Sequence, residues 1–136
     1  ISLDQLVQWI ESHSGDHVLV EGVGGWRVPI SWDFGVSELA VALGAPVLVV
    51  SANRLGTLNH TRLTVEAVRA SGLEVWGVVL NDGVGMQEDQ AREHNYLDLQ
   101  RLLSDERVYR MSRLQSLSRD SLARAGEVLR KSGKTA

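Results

Sequence analysis

Three short apolar segments constrain the fold of this chain more than any other feature of its sequence. They read HVLVE at residues 17–21, APVLVVS at 45–51 and LEVWGVVLN at 73–81. Each is apolar on both sides of an extended backbone, which is typical of strands buried inside a parallel sheet. Because helical segments separate them, the sequence predicts an α/β fold whose parallel sheet is covered by helices on both faces.

Five other segments show the spacing of amphipathic helices. The first is expected to begin with a capping box formed by Ser2 and Gln5, and the second is expected to end at Gly44. A short additional strand is predicted at RVYRM, residues 107–111. The predicted helices cover residues 3–10, 33–44, 59–72, 87–103 and a final segment that begins near Ser118.

Length and composition limit the classes of protein that the chain can represent. Its 136 residues suffice for one domain with a hydrophobic core, and we assign residues 1–136 to one domain. A net charge of -3 without a basic run argues against a nucleic-acid partner, and no apolar run is long enough to span a membrane. The absence of cysteine excludes disulfides and thiolate ligands. Because the sequence shows no signal-peptide pattern, a cytoplasmic location is expected.

Polar residues follow each of the three predicted strands. Right-handed crossovers place the carboxyl ends of parallel strands at one edge of the sheet, where open α/β sheets bind ligands. The residues delivered to that edge are Glu21, the loop 51–59, and Asn81 with Asp82. The sequence therefore predicts that these places contribute to one ligand site.

The segment EGVGG, residues 21–25, has the composition of a phosphate and metal site. Glycine allows backbone N–H groups to approach an anion closely. A carboxylate beside that anion is unfavourable unless a cation lies between them, and Mg²⁺ is commonly held by one or two carboxylates together with phosphate oxygens. The alternative interpretation is a plain tight turn in which Glu21 pairs with an arginine or caps a helix.

Three longer motifs occur in the order of a known enzyme family. They read VEGVGGWRVPI at 20–30, PVLVVSANRLGTLNHTRLTVEAVRASGL at 46–73 and VWGVVLND at 75–82. Through them residues 16–82 resemble dethiobiotin synthetase, whereas residues 83–136 match it only in outline. The resemblance implies a P-loop NTPase-like fold and a homodimer that uses ATP and Mg²⁺ in biotin biosynthesis. The implied reaction closes the ureido ring of dethiobiotin from 7,8-diaminopelargonic acid and CO₂, through a carbamate that ATP phosphorylates.

The resemblance also implies roles for particular residues. Glu21 matches the family's Mg²⁺ ligand, and Asn81 matches the asparagine that reads adenine. The segment 56–59 matches a loop at a helix N-terminus that takes the substrate carboxylate from the neighbouring subunit, in keeping with the free N–H donors at a helix start. The expected ATP and phosphate ligands are Glu21, Gly22, Val23, Gly24, Asn81 and Asp82. The expected substrate ligands are Gly24, Gly25, Gly56, Thr57, Leu58 and Asn59.

The chain departs from the family because it lacks the P-loop sequence G-x-x-x-x-G-K-[ST]. A GKT tripeptide occurs at 133–135, but Val128 stands where the first glycine is required. No catalytic residue is therefore expected within the chain, which is interpreted as the C-terminal portion of a synthetase-like domain, incomplete at its N-terminus and inactive alone. Unpaired strand edges predict association, either as a homodimer or with a complementary N-terminal chain.

Two other classes of function remain open. One is a different P-loop protein, such as a cobyrinate-type synthase domain, and the other is a non-catalytic binding or dimerisation module. The segment YRMSRLQ, residues 109–115, stands where the family has a proline segment, so adenine contacts after Arg110 also remain open. Trp26 either walls the substrate site or covers core, Arg27 either binds an anion or forms an internal ion pair, and His60 is expected to hydrogen-bond at a helix start.

Overall fold

A computed structural model of the chain describes residues 1–13, 15, 17–83, 90–114, 116 and 118–131. The helices are α1 (Leu3–Ser12), α2 (Val36–Leu43), α3 (Thr57–Ala70), α4 (Gln90–Leu102) and α5 (Arg119–Lys131), and the strands are β1 (Val47–Ala52), β2 (Val75–Asn81) and β3 (Val108–Met111). The chain divides into two compact units. The first comprises residues 1–47 and 66–74, and the second comprises residues 48–65 and 75–136. The GKT tripeptide and the predicted helical residues 87–89 lie outside the described residues. None of the helices, as far as they are described, is long and apolar enough to cross a lipid bilayer.

The three strands form one sheet in the order β1-β2-β3. β2 and β3 are parallel, and Asn81 lies opposite Met111. At the start of β1 the Val47 N–H donates to the carbonyl oxygen of Glu74. Just beyond its end the Asn53 N–H donates to the carbonyl oxygen of Asn81, so β1 and β2 also run in the same direction. The predicted α/β class and the parallel strand direction are confirmed.

The second unit contains a core built around β2. Val78 and Leu80 are fully buried on this strand, and Leu99 is fully buried on α4. Both α4 and α5 pack against β3. Gly77 allows the ring of Tyr109 to lie directly against β2, since a Cβ atom at position 77 would stand 2.9 Å from Cε2 of that ring.

The first unit contains α1 and α2, which pack against each other. The predicted capping box is confirmed, because the Gln5 N–H donates to the Ser2 hydroxyl oxygen while the Gln5 side chain accepts from the Ser2 N–H. The predicted end of α2 is also confirmed. Gly44 adopts the left-handed conformation, with φ of 62°, that terminates helices at little steric cost.

The strand predicted at residues 17–21 is wrong. This segment forms no strand, and Val18 and Leu19 are 53% and 92% exposed. An extended segment becomes a strand only when a neighbour completes its hydrogen-bond ladder, and no described strand pairs with this one. Glu21 therefore does not lie at the end of a sheet strand, whereas Ser51 and Asn81 do.

Strand β1 is less covered than its apolar sequence predicted. Val49 is 7% exposed, but Val50, whose side chain points to the opposite face, is 62% exposed. Coverage of both faces is thus wrong for β1 as far as the structure describes its surroundings.

Candidate functional site

Four polar side chains, three of them buried, join the carboxyl ends of the three strands. Asn53, fully buried, donates from Nδ2 to Oδ1 of Asp82 at 2.6 Å. The Oδ1 atom of Asn53 accepts from Nδ2 of Asn95 at 2.9 Å. On the other side, Nε of Arg110 donates to Oδ2 of Asp82 at 2.9 Å. Asn53, Asp82, Asn95 and Arg110, which we call the edge network, come from the ends of β1 and β2, from α4 and from β3.

Asp82 carries the negative charge of the edge network. Its burial raises the pKa of the carboxyl group, but hydrogen bonds from Asn53 and Arg110 outweigh burial and hold that pKa below its ordinary value. The Arg92 guanidinium, with Nη2 3.6 Å from Oδ1, adds to this effect. Both carboxylate oxygens are thus engaged within the protein at neutral pH, while the nucleotide role expected for Asp82 stays a prediction.

Asn81, the expected adenine reader, is the last residue of β2 and is half-buried. Its carbonyl oxygen accepts the N–H of Asn53, which holds the backbone at this point. Its side-chain amide has no hydrogen-bond partner within the described part of the chain. The amide therefore keeps both its donors and its acceptor available for a ligand such as a base edge.

The start of α3 presents backbone donors. Gly56, immediately before the helix, has φ of 90°, a conformation that favours glycine. The Thr57 N–H donates to the carbonyl oxygen of Arg54. The N–H groups of Leu58 and Asn59 have no partner among the residues that the structure describes. These two donors, at the positive end of a helix, can accept a carboxylate or another anion.

Hydroxyl groups fix this helix start to the sheet. The Ser51 and Thr61 hydroxyl oxygens lie 2.7 Å apart, and those of Thr57 and Thr61 lie 3.4 Å apart. Thr57 and Thr61 are both buried, at 2% and 0% exposure. The orientation of the loop before α3 therefore depends on the end of β1.

The glycine segment, residues 21–25, lies in the first unit and is exposed throughout. Gly24 has φ of 82°, and a Cβ atom there would stand 2.8 Å from Cγ2 of Val28. The turn closes through a hydrogen bond from the Val28 N–H to the Gly25 carbonyl oxygen. Glu21 neither pairs with an arginine nor caps a helix among the described residues. Its carboxylate is available to a ligand.

Glu38, rather than Glu21, caps a helix. Its Oε2 accepts the N–H of Gly35 at 2.9 Å and the hydroxyl of Ser37 at 2.9 Å, at the start of α2. Hydrogen bonds from its own backbone N–H and from that of Gly35 hold the pKa of the Glu38 carboxyl below its ordinary value.

A magnesium ion fits Glu21 only if a ligand completes its coordination. Among the described residues, no three histidine, cysteine, aspartate or glutamate side chains cluster closely enough to hold a metal. Mg²⁺ usually keeps several waters and binds through one or two carboxylates and substrate phosphates. One free carboxylate beside an exposed glycine segment is a donor set of that kind.

Three residues with open roles occupy distinct environments. Trp26 is buried in the first unit at 8% exposure, and its Nε1–H has no partner in the described structure. Arg27 is exposed and forms no ion pair with a described residue. His60 donates its backbone N–H to the Gly56 carbonyl oxygen, as expected near a helix start.

The sequence pattern did not reveal two members of the edge network. Asn95 precedes Leu99 by four residues, so both lie on one face of α4, and a polar residue on that buried face was the available signal. Arg110 gave a weaker signal, as a charge inside the short apolar strand β3.

Residues 1–123 match a protein family described as an AAA domain. The chain belongs to this family. It is also similar to the ATP-dependent dethiobiotin synthetase BioD of Anaeromyxobacter sp. strain Fw109-5, with 38% identity over 120 residues, 87% of this chain and 53% of the relative. The BioD of Chromohalobacter salexigens is 38% identical over 133 residues, 91% of this chain and 56% of the relative. The BioD of Ralstonia nicotianae is 56% identical over 66 residues, 48% of this chain and 29% of the relative.

These matches confirm the resemblance predicted from the motifs, and this AAA-domain protein is dethiobiotin synthetase-like. The chain spans about half the length of the curated relatives it matches.

Proposed function

We propose that this protein forms part of an ATP- and Mg²⁺-dependent ligase that makes dethiobiotin in biotin biosynthesis. The substrates are 7,8-diaminopelargonic acid and CO₂, which combine as a carbamate. ATP transfers its γ-phosphoryl group to the carbamate, which gives a carbamic-phosphoric anhydride and ADP, and attack by the second amine then closes the ureido ring and releases phosphate. The observation that carries the proposal is the identity to named dethiobiotin synthetases over most of the chain.

Residues of the glycine segment serve the phosphate side of the reaction. Glu21 has a free carboxylate and would hold Mg²⁺ together with nucleotide phosphates. When bound, Mg²⁺ offsets the negative charge that develops during phosphoryl transfer. The exposed backbone from Gly22 to Gly25 allows close approach of the phosphates and of the substrate.

Residues of the second unit bind the adenine base of ATP and the carboxylate of the substrate. The unpartnered amide of Asn81 reads the adenine base. The free N–H groups of Leu58 and Asn59 take the substrate carboxylate. Because that carboxylate comes from the neighbouring subunit, a homodimer is part of the proposal. The chain alone, which has no P-loop lysine, is expected to give no turnover.

Dethiobiotin formation from the diamine, bicarbonate and Mg-ATP tests the proposal. The chain is assayed alone and joined to the part of the Anaeromyxobacter relative that lies outside the match. We expect turnover only from the joined protein. In that protein Glu21→Gln should lower the rate about a hundredfold or more, as for loss of a preorganised electrostatic group.

Glu11→Gln is the matched control, because it makes the same chemical change on an exposed face of α1 and should leave the rate unchanged. Asn81→Ala should instead weaken ATP binding by about 1–3 kcal/mol, with less effect on the saturated rate. A folded joined protein that makes no dethiobiotin would contradict the proposed function. Full activity in Glu21→Gln would contradict the metal role alone.

A further inference from the structure

A cavity of about 410 Å³ lies between the segment that follows β3 and helix α5. Three arginine and two serine side chains contribute to its lining, and no described carboxylate does. These lining residues are Arg110, Arg113, Arg124, Ser112 and Ser121. In a chain whose net charge is -3, this concentration of cations is a local exception.

The charges of these arginines are only partly balanced inside the protein. Arg110 is held at Nε by Asp82, which leaves its two terminal nitrogens without a described partner. Arg113 and Arg124 are exposed, and neither forms an ion pair or hydrogen bond with any described residue. Two cations beside a third repel one another, and an anion in the cavity would relieve that repulsion.

The start of α5 forms one wall of the cavity. The α5 helix is 13 residues long, and Ser121 lies in its first turn, where the positive end of the helix dipole favours an anion. Ser118 begins this turn, because its hydroxyl oxygen accepts the N–H of Ser121. Asp120 is in the same turn but does not line the cavity.

We propose that this cavity binds an anionic ligand of the phosphate class. The planar guanidinium forms paired, charge-assisted hydrogen bonds to phosphate oxygens, and an arginine fixed at Nε presents its other donors without loss of order. The lining of the cavity includes none of the residues assigned above to the nucleotide phosphates or the substrate, although Asp82, one of those residues, orients Arg110. It therefore stands whether or not the proposed ligase activity is found.

Calorimetric titration of the whole 136-residue chain with inorganic pyrophosphate tests the proposal. We expect binding that weakens as salt rises. Arg113→Gln combined with Arg124→Gln should weaken it by roughly tenfold or more, as for loss of two hydrogen bonds to a charged group. The fold should persist, because both side chains are exposed and lack described partners. Circular dichroism of the double variant measures whether the fold persists.

Arg101→Gln is the matched control, since this arginine lies on α4 with its side chain 81% exposed and does not line the cavity. The control variant should bind pyrophosphate like the unchanged protein. Equal weakening by Arg101→Gln would show a general charge effect and overturn the site. Absence of pyrophosphate binding, or displacement of pyrophosphate by adenosine as readily as by inorganic phosphate, would overturn it as well.

Discussion

The edge network and the glycine segment both place a carboxylate in an expected ligand site, yet the two carboxylates have opposite environments. Asp82 is buried, and its oxygens contact Asn53 and Arg110. Glu21 is exposed and contacts no described polar partner. The difference follows from the backbone, because Asp82 extends a paired strand whereas Glu21 follows a segment without a strand partner.

For these two carboxylates, the difference in strand pairing accompanies the difference in environment. A paired strand brings side chains from neighbouring elements within hydrogen-bond distance, so the carboxylate becomes part of the structure. An unpaired segment leaves its carboxylate and its apolar side chains facing solvent. The first arrangement supports stability, and the second leaves groups available for a ligand or another chain.

The largest expected contrast in stability is between an apolar residue of α4, the helix that carries Asn95, and an apolar residue of the segment that precedes Glu21. Leu99→Ala removes a fully buried side chain of α4 and should lower the free energy of unfolding by about 2–5 kcal/mol. Leu19→Ala, at a position 92% exposed, should change it by less than about 0.5 kcal/mol. Urea unfolding monitored by circular dichroism measures both. A comparable loss in Leu19→Ala would show that residues 17–21 are buried in solution.

Removing the buried carboxylate should have the next largest effect. Asp82→Ala leaves Asn53 and Arg110 without their acceptor and should cost about 2–3 kcal/mol of unfolding free energy. Asp98→Ala removes a half-buried carboxylate whose nearest Arg101 nitrogen is 3.9 Å away, and it should cost less than about 1 kcal/mol. The same urea titration compares them. If the two variants lose equal stability, the edge network does not stabilise the fold.

The smallest expected effect is the change with pH of the stability that Asp82 contributes. The pKa of Asp82 is lowered on folding, so its stabilising contribution is present above its unfolded value and is lost as pH falls through the folded value. The stability gap between the unchanged protein and Asp82→Asn should therefore shrink on acidification below about pH 4. Urea midpoints at successive pH values measure the gap. A gap that widened on acidification would reverse the assigned direction of the pKa shift.

The sequence predicted the parts of the fold that local patterns determine. The capping box at Ser2, the end of α2 at Gly44 and the direction of the strands were all confirmed. The strand predicted at 17–21 is wrong, because an apolar pattern does not show whether a neighbouring strand is present to pair with the segment. For the candidate site, the motifs predicted Asn81 and Asp82, whose roles in ligand binding stay predictions. The partners of Asp82 depend on which side chains of α4 and β3 meet across the fold, which no local pattern reports.

The contact between Gly77 and Tyr109 limits how this sheet can vary in sequence. A methyl group at position 77 would collide with the aromatic ring, and the carbonyl oxygen of Arg107 stands only 3.1 Å from the same point. A smaller residue at position 109 would relieve the first collision but not the second, because the second partner is backbone. The two positions therefore constrain the sheet differently: the contact with Tyr109 depends on the side chain at 109, whereas any side chain at 77 also requires the Arg107 carbonyl group to give way by a few tenths of an ångström.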